Sequence, residues 1–187
     1  MSELTDDKSE LFFKRTLEHI GRVKKNALVI YGYDPVRFKL VLDIADAHDA
    51  SKFKDPEFVP YVQLSYYYVC KRTGEKFDTH PELKEQIRDA VFHHIKNNRH
   101  HPEYYFDGAI RERGGQVIDA MKMPPISIAE MICDWKAMSQ ELDNKIEDFA
   151  DSVVNKKFIF LPEQVNLIYE LIEVFKNGQK TVLEEER

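Results

Sequence analysis

Long apolar runs are the first thing this sequence lacks. Its longest, ALVIY and FIFL, fall far short of the roughly 20 residues that cross a bilayer, so no membrane-spanning helix is expected. The opening MSELTDDKSE is acidic and polar, without the charged start and apolar middle of a secretory signal, and the expectation is a soluble cytoplasmic protein. Cysteine is scarce: Cys70 and Cys133 stand alone, with no CxxC pair, which excludes a disulfide framework or zinc knuckle and leaves two buried thiols. Positive charge is in deficit, 27 Lys and Arg against 33 Asp and Glu for a net −6. That balance excludes broad binding to a nucleic-acid backbone, while a local basic pocket for a small phosphorylated molecule stays open. Internal repeats, low-complexity blocks and runs of strand-like alternation are also missing.

What is present is an ordinary globular composition, 43% hydrophobic and 32% charged, which argues against wholesale disorder. A chain of 187 residues is read as a single domain, residues 1–187, with its core at about 8–176 and a frayed tail at 177–187. The helical period dominates. Phe12, Thr16, His19, Ile20, Val23, Ala27 and Ile30 recur at three- and four-residue steps and draw one stripe on a first helix. Asp34 and Pro35 open a second helix expected to run to Lys52, with Val41, Ile44, Ala45 and His48 on one face. A third starts at Asp55–Pro56 and buries Val59, Val62, Tyr66 and Val69. A fourth is expected from a Thr79/Glu82 capping box to about Ile95.

The glycines of DGAIRERGGQ mark a loop. A second capping box, Ser127 with Glu130, opens a helix burying Met131, Ile132, Trp135, Met138 and Leu142. A last helix runs from about Pro162 to Phe175. The expected architecture is all-α, a bundle of about six helices. The tyrosine-rich YVQLSYYYVC reads equally as core or as the face of a homodimer.

Polar residues on the apolar stripes carry the functional reading. A buried imidazole must be hydrogen-bonded or metal-bound, and His19, His48 and His94 all fall on inward faces. Asp49 follows His48 about 100° around the expected helix, so both can address one ion. Asp134 interrupts the strongest apolar stripe. His93 lies over Asp89 as a solvated neighbour of His94, while Pro102 forces His100 and His101 into a turn, where they are free to bend back over the site or, equally, to orient other ligands without touching an ion. Imidazole nitrogen and carboxylate oxygen suit divalent Mn, Fe, Co, Ni or Zn.

This ordered set, His19, then HDASK with His48 and Asp49, then Asp134 in MICDWKA, resembles the HD superfamily of metal-dependent phosphohydrolases, in a form similar to an uncharacterised branch of phages and bacteria. The resemblance covers about residues 19–138. It implies a compact HD-domain-like bundle that holds one or two ions through His19, His48, Asp49 and Asp134, with His94 and His101 in the interval where two-metal members carry further ligands. It also implies that Lys52, in the HDxxK form, sits near a scissile phosphate, so that Asp49 and Lys52 are the catalytic candidates. Lys96, Arg99 and Tyr104 are candidate substrate contacts, with Arg111 or Arg113 as further cations, and His93 and His100 support the ligands from behind. The gap between His94 and His101 is shorter than in two-metal relatives, and the glycine-tyrosine-proline signature of cyclic-dinucleotide phosphodiesterases is absent. The implied activity is hydrolysis of a small phosphorylated compound such as a nucleotide. The alternatives are a two-iron oxygenase of the same superfamily and a non-catalytic metal-binding module.

Overall fold

Helices account for nearly all regular structure in the computed structural model, which describes residues 5–77, 80–109 and 116–185, with side chains to residue 177. The described residues form seven α-helices: α1 (Asp6–Tyr33), α2 (Val41–Asp46), α3 (Phe58–Thr73), α4 (Pro81–Asn97), α5 (Pro125–Leu142), α6 (Ile146–Val153) and α7 (Pro162–Glu185). Two 3-10 turns, Ala50–Phe53 and Pro102–Tyr105, and two two-residue strands, β1 (Ile118–Asp119) and β2 (Phe158–Ile159), complete it. The fold is all-α, as expected. None of the described helices is long and apolar enough to cross a membrane. The backbone groups into two compact units, the described residues of Met1–Glu18 with Asp49–Asn98, and those of His19–His48 with Arg99–Arg187.

In the first unit α3 packs on α4. Pro60 sits in the first turn of α3, where the missing N–H has no helical partner to lose. Gly74 ends the helix at φ 78, a left-handed position open to glycine. Val62, Gln63, Ser65 and Cys70 are buried, whereas Val59 is exposed, so the inward face is rotated from the expected one. On α4 the buried residues are Leu83, Ala90, Val91, His94 and Ile95. Its N-cap is His80, whose Nδ1 accepts from the Leu83 N–H at 3.3 Å; the expected cap Thr79 lies outside the described residues. Phe12 closes this unit with edge-on contacts to Phe53 and Phe58.

The second unit is built around α5, flanked by α2, α6 and α7. Ten of its side chains are buried, so it needs apolar partners on nearly every side. α7 supplies Leu167, Ile168, Leu171, Ile172 and Phe175. It continues to Glu185, past the expected end near Phe175. α6 was not anticipated from the sequence. The strands, also unanticipated, pair in parallel with Ile118 opposite Phe158 and Asp119 opposite Ile159.

Two expectations need correction here. Pro124 and Pro125 start α5, so the Ser127/Glu130 capping box does not form. Ser127 lies inside the helix and accepts from the Tyr105 hydroxyl at 2.8 Å, and Leu142 at the far end is 54% exposed. The second helix also breaks up. Asp34 Oδ1 does accept from the N–H groups of Val36 and Arg37, but the following residues form turns and only Val41–Asp46 are α-helical. His48 N bonds back three residues to Ala45 O, and Asp49 adopts φ 58. Aspartates at 43, 46 and 49 compete with helical hydrogen bonding and tolerate the left-handed region, which ends the helix before Lys52.

Candidate metal centre

Asp134 and Glu130 stand one turn apart on α5 and share a face. In the second unit that face meets His19, from the stripe of α1, and His48, from the turn after α2. One donor atom each from His19, His48 and Asp134 lie within 4.8 Å of one another. His19 Nε2 is 3.0 Å from Asp134 Oδ1, and His48 Nε2 is 3.8 Å from the same oxygen. Two donors ~2.1 Å from a shared ion and 90–109° apart lie roughly 3.0–3.4 Å from each other, and the longer pair needs an angle of about 130°. The first distance is that of two neighbouring ligands of one ion, and the second would close by a few tenths of an ångström to reach a regular angle. Both imidazoles are buried and Asp134 keeps 16% side-chain exposure, so an approach from solvent remains.

Glu130 stands behind this set. Its Oε1 accepts from His48 Nδ1 at 3.0 Å and from His100 Nδ1 at 3.3 Å, and the two rings lie 4.2 Å apart. With its proton on Nδ1 and directed at a carboxylate, His48 carries its lone pair on Nε2, the nitrogen that faces Asp134. Burial alone would raise the Glu130 carboxyl, but hydrogen bonds and charge from His100 and His48 outweigh it and hold the group below the usual range. Asp134 behaves in the same way: burial pushes up, and His19, His48 and His100 bring it well below an ordinary aspartate. Between them, the buried Cys133 thiol is raised well above its usual value by desolvation and by these two carboxylates.

The other expected residues of this unit lie on the turn after α4. His100 is buried and shares Glu130 with His48. His101 precedes the 3-10 turn at Pro102, as expected, with its ring 4.2 Å from that of His100. Arg99 places its guanidinium 5.9 Å from the Tyr104 ring centre, so two of the expected substrate contacts pair with each other. Arg111 and Arg113 lie outside the described residues.

The first unit holds Asp49, Lys52, His93, His94 and Lys96. His94 Nε2 is 3.1 Å from Asp49 Oδ1. Lys52 comes from the 3-10 turn rather than from a continuing helix; its ammonium pairs with Asp49 Oδ2 and lies 5.1 Å from the Tyr61 ring centre. His93 does not rest on Asp89. Its Nδ1 donates to Glu57 Oε1 at 2.7 Å, while His94 Nδ1 donates to Glu57 Oε2 at 2.8 Å. Burial alone would raise Glu57, yet the bonds from His94, His93 and Ser51 lower it. Lys96 is half-buried on α4.

Sequence reasoning missed Glu57 altogether and gave Glu130 the wrong task. The signal for Glu130 was its place in ISIAEMICDW, a carboxylate one turn before Asp134 inside an otherwise apolar stretch. An N-cap partner has no reason to be buried on all sides. For Glu57 the signal was weaker, since DPEFVP reads as the start of a helix.

Comparison with known proteins adds a family and no activity. A family model described as a family of unknown function (DUF5662) matches residues 8–174. No curated protein and no solved structure matches the chain.

Proposed function

Because the chain belongs to DUF5662, a family of unknown function, we propose from the site itself that it is a metal-dependent phosphohydrolase acting on a small phosphorylated compound such as a nucleotide. The observation that carries the metal part is the convergence of His19, His48 and Asp134 with donor atoms within 4.8 Å and a buried carboxylate aligning His48. The donor set, two imidazoles and one carboxylate, suits Mn, Fe, Co, Ni or Zn and leaves positions open to water or substrate. The reaction class rests on the ordered resemblance of His19, His48–Asp49 and Asp134 to the HD superfamily.

A divalent ion held there supplies a Lewis acid for a phosphoryl oxygen and lowers the pKa of a bound water. The protein's own contributions are separate from that. Glu130 holds the His48 ring in one tautomer. His19 and His48 keep Asp134 ionised. Lys52, in the HDxxK position of the resemblance, is the residue that the resemblance offers for charge built up at phosphorus, and its ammonium pairs with Asp49.

The test is metal analysis of the purified chain, followed by phosphate release from nucleoside mono- and triphosphates and simple phosphoesters, with Asp134→Ala alongside. Stoichiometric metal in the parent, lost in the variant, with phosphate released only by the parent, supports the proposal. Stoichiometric metal with no phosphate released from any compound points to a non-catalytic metal-binding module. Visible iron absorption with two irons per chain favours the oxygenase.

A further inference from the structure

No charged residue among those described is more deeply buried than Glu57, at 0% exposure. Its carboxylate gathers three hydrogen bonds, from His93 Nδ1 at 2.7 Å, His94 Nδ1 at 2.8 Å and the Ser51 hydroxyl at 2.9 Å. Counting protons around it fixes who donates. The Asn98 amide has two N–H bonds, and two acceptors take them: His94 O at 2.8 Å and Ser51 Oγ at 3.0 Å. Ser51, having accepted one, gives its own proton to Glu57 Oε2 at 2.9 Å, the nearer and anionic acceptor, rather than to His94 Nδ1 at 3.2 Å. His94 Nδ1 also lies 3.0 Å from Asn98 Nδ2, but no amide proton remains for it. A lone pair on Nδ1 would face an anionic oxygen at 2.8 Å, an arrangement that burial makes costly. A proton on Nδ1 of each ring, in charge-assisted bonds to the two oxygens of one carboxylate, satisfies these contacts.

We infer that Glu57 is a positioning residue: its carboxylate keeps a ring proton of both His93 and His94 on Nδ1 and so turns Nε2 of His94 toward Asp49, where that nitrogen gives up any proton shared with Asp49 when a cation binds. The spacing of His94 Nε2 and Asp49 Oδ1, 3.1 Å, is that of two neighbouring ligands of one ion (roughly 3.0–3.4 Å). Use of that edge by a cation rests on the metal reading above; the proton on Nδ1 does not. His93, with 40% of its side chain exposed, has no buried ligand to orient. Its bond occupies the second oxygen of Glu57 and stops the carboxylate from turning away from His94.

The experiment is long-range proton–nitrogen NMR on the full chain with nitrogen-15-labelled histidine, kept metal-free with chelator, the two rings being assigned with His93→Gln and His94→Gln. A protonated Nδ1 on both rings is expected. In Glu57→Gln a carboxamide offers one acceptor oxygen in place of two, so one ring loses its Nδ1 proton. An unprotonated Nδ1 on His94 in the parent overturns the inference, as does a Glu57→Gln spectrum with both tautomers unchanged. If the variant does not fold, the parent spectrum alone decides. Zn(II) titration of the same samples should show roughly 10–100-fold weaker binding in the variant, and an unchanged affinity there counts against the positioning role. A parent that binds no metal sinks the proposed function and leaves the NMR result standing.

Discussion

Glu130→Gln tests whether the buried carboxylate behind His48 orients a ligand or merely fills space. The change keeps shape and volume and removes the charge. Glu130 Oε1 accepts from His48 at 3.0 Å and His100 at 3.3 Å. Hydrogen bonds to a charged group contribute ~1.5–3 kcal/mol and neutral ones ~0.5–1.5, so two bonds downgraded from the first class to the second, one of them long, lose about 2 kcal/mol. A carboxamide is easier to bury, which offsets part of this. The offset does not reverse the sign, because the Glu130 carboxyl lies below its usual range despite burial, and the imidazoles therefore outweigh desolvation. For a chain of this size a loss of about 2 kcal/mol lowers Tm by roughly 4–8 °C, read by circular dichroism in the presence of chelator. Metal affinity, measured by competition with a chromogenic chelator, should fall ~10–100-fold. A Tm unchanged from the parent together with unchanged metal affinity would refute the orienting role.

Other outcomes follow from the same structure. Ile168→Ala, at a fully buried position of α7, should cost ~2–5 kcal/mol by urea unfolding, while Val36→Ser, at 89% exposure, should stay within ~0.5 kcal/mol. Asp134→Ala should abolish stoichiometric metal in the purified chain, whereas Asp107→Ala, which removes an exposed pair with Lys122, should leave it intact and change stability by less than ~1 kcal/mol. Acid should destabilise the metal-free protein: Glu57 and Glu130 have lowered folded-state pKa values, so their contribution is complete above the unfolded-chain value of ~4.3 and is lost as pH falls through the lower folded values. A Tm that rises on acidification through that range contradicts the assigned ion pairs.

The helical stripes were legible because their period is local. Phe12, Thr16, His19, Ile20, Val23, Ala27 and Ile30 are all buried on α1, as their spacing predicts, and the inward placement of His94 on α4 follows from the same rule. Less legible was anything decided by a competing local preference. The segment from Asp34 to Lys52 has helical spacing, but its aspartates favour turns, and one of them, Asp49, takes the left-handed conformation. The site residues that sequence named were those expected to face inward for want of any other reason to be polar. Glu130 and Glu57 were hidden by a different mechanism. Each sits where an acidic residue at a helix start is ordinary, and only the partners brought from distant segments, His48 and His100 for one and His94 for the other, show that its role is not at the helix end.

His48 is where the second unit's two carboxylates become one system. Its Nδ1 bonds Glu130 and its Nε2 faces Asp134, so each carboxylate affects how well the ring serves the other. Burying either ion alone is unfavourable by several kcal/mol, and both are tolerated on one helix face because Glu130 is bonded by His48 and His100 while Asp134 is paired with His19 and feels the charge of His48. Substitutions at the two positions should therefore not add. In a double-mutant cycle of Glu130→Gln and Asp134→Asn, read by unfolding with chelator present, the expected coupling is about 0.5–3 kcal/mol. Loss of the first carboxylate lets the ring turn, after which removal of the second costs less than it does in the parent. Additivity within ~0.3 kcal/mol would mean that His48 is fixed by packing alone, and the account of Glu130 as its orienting partner would fail with it.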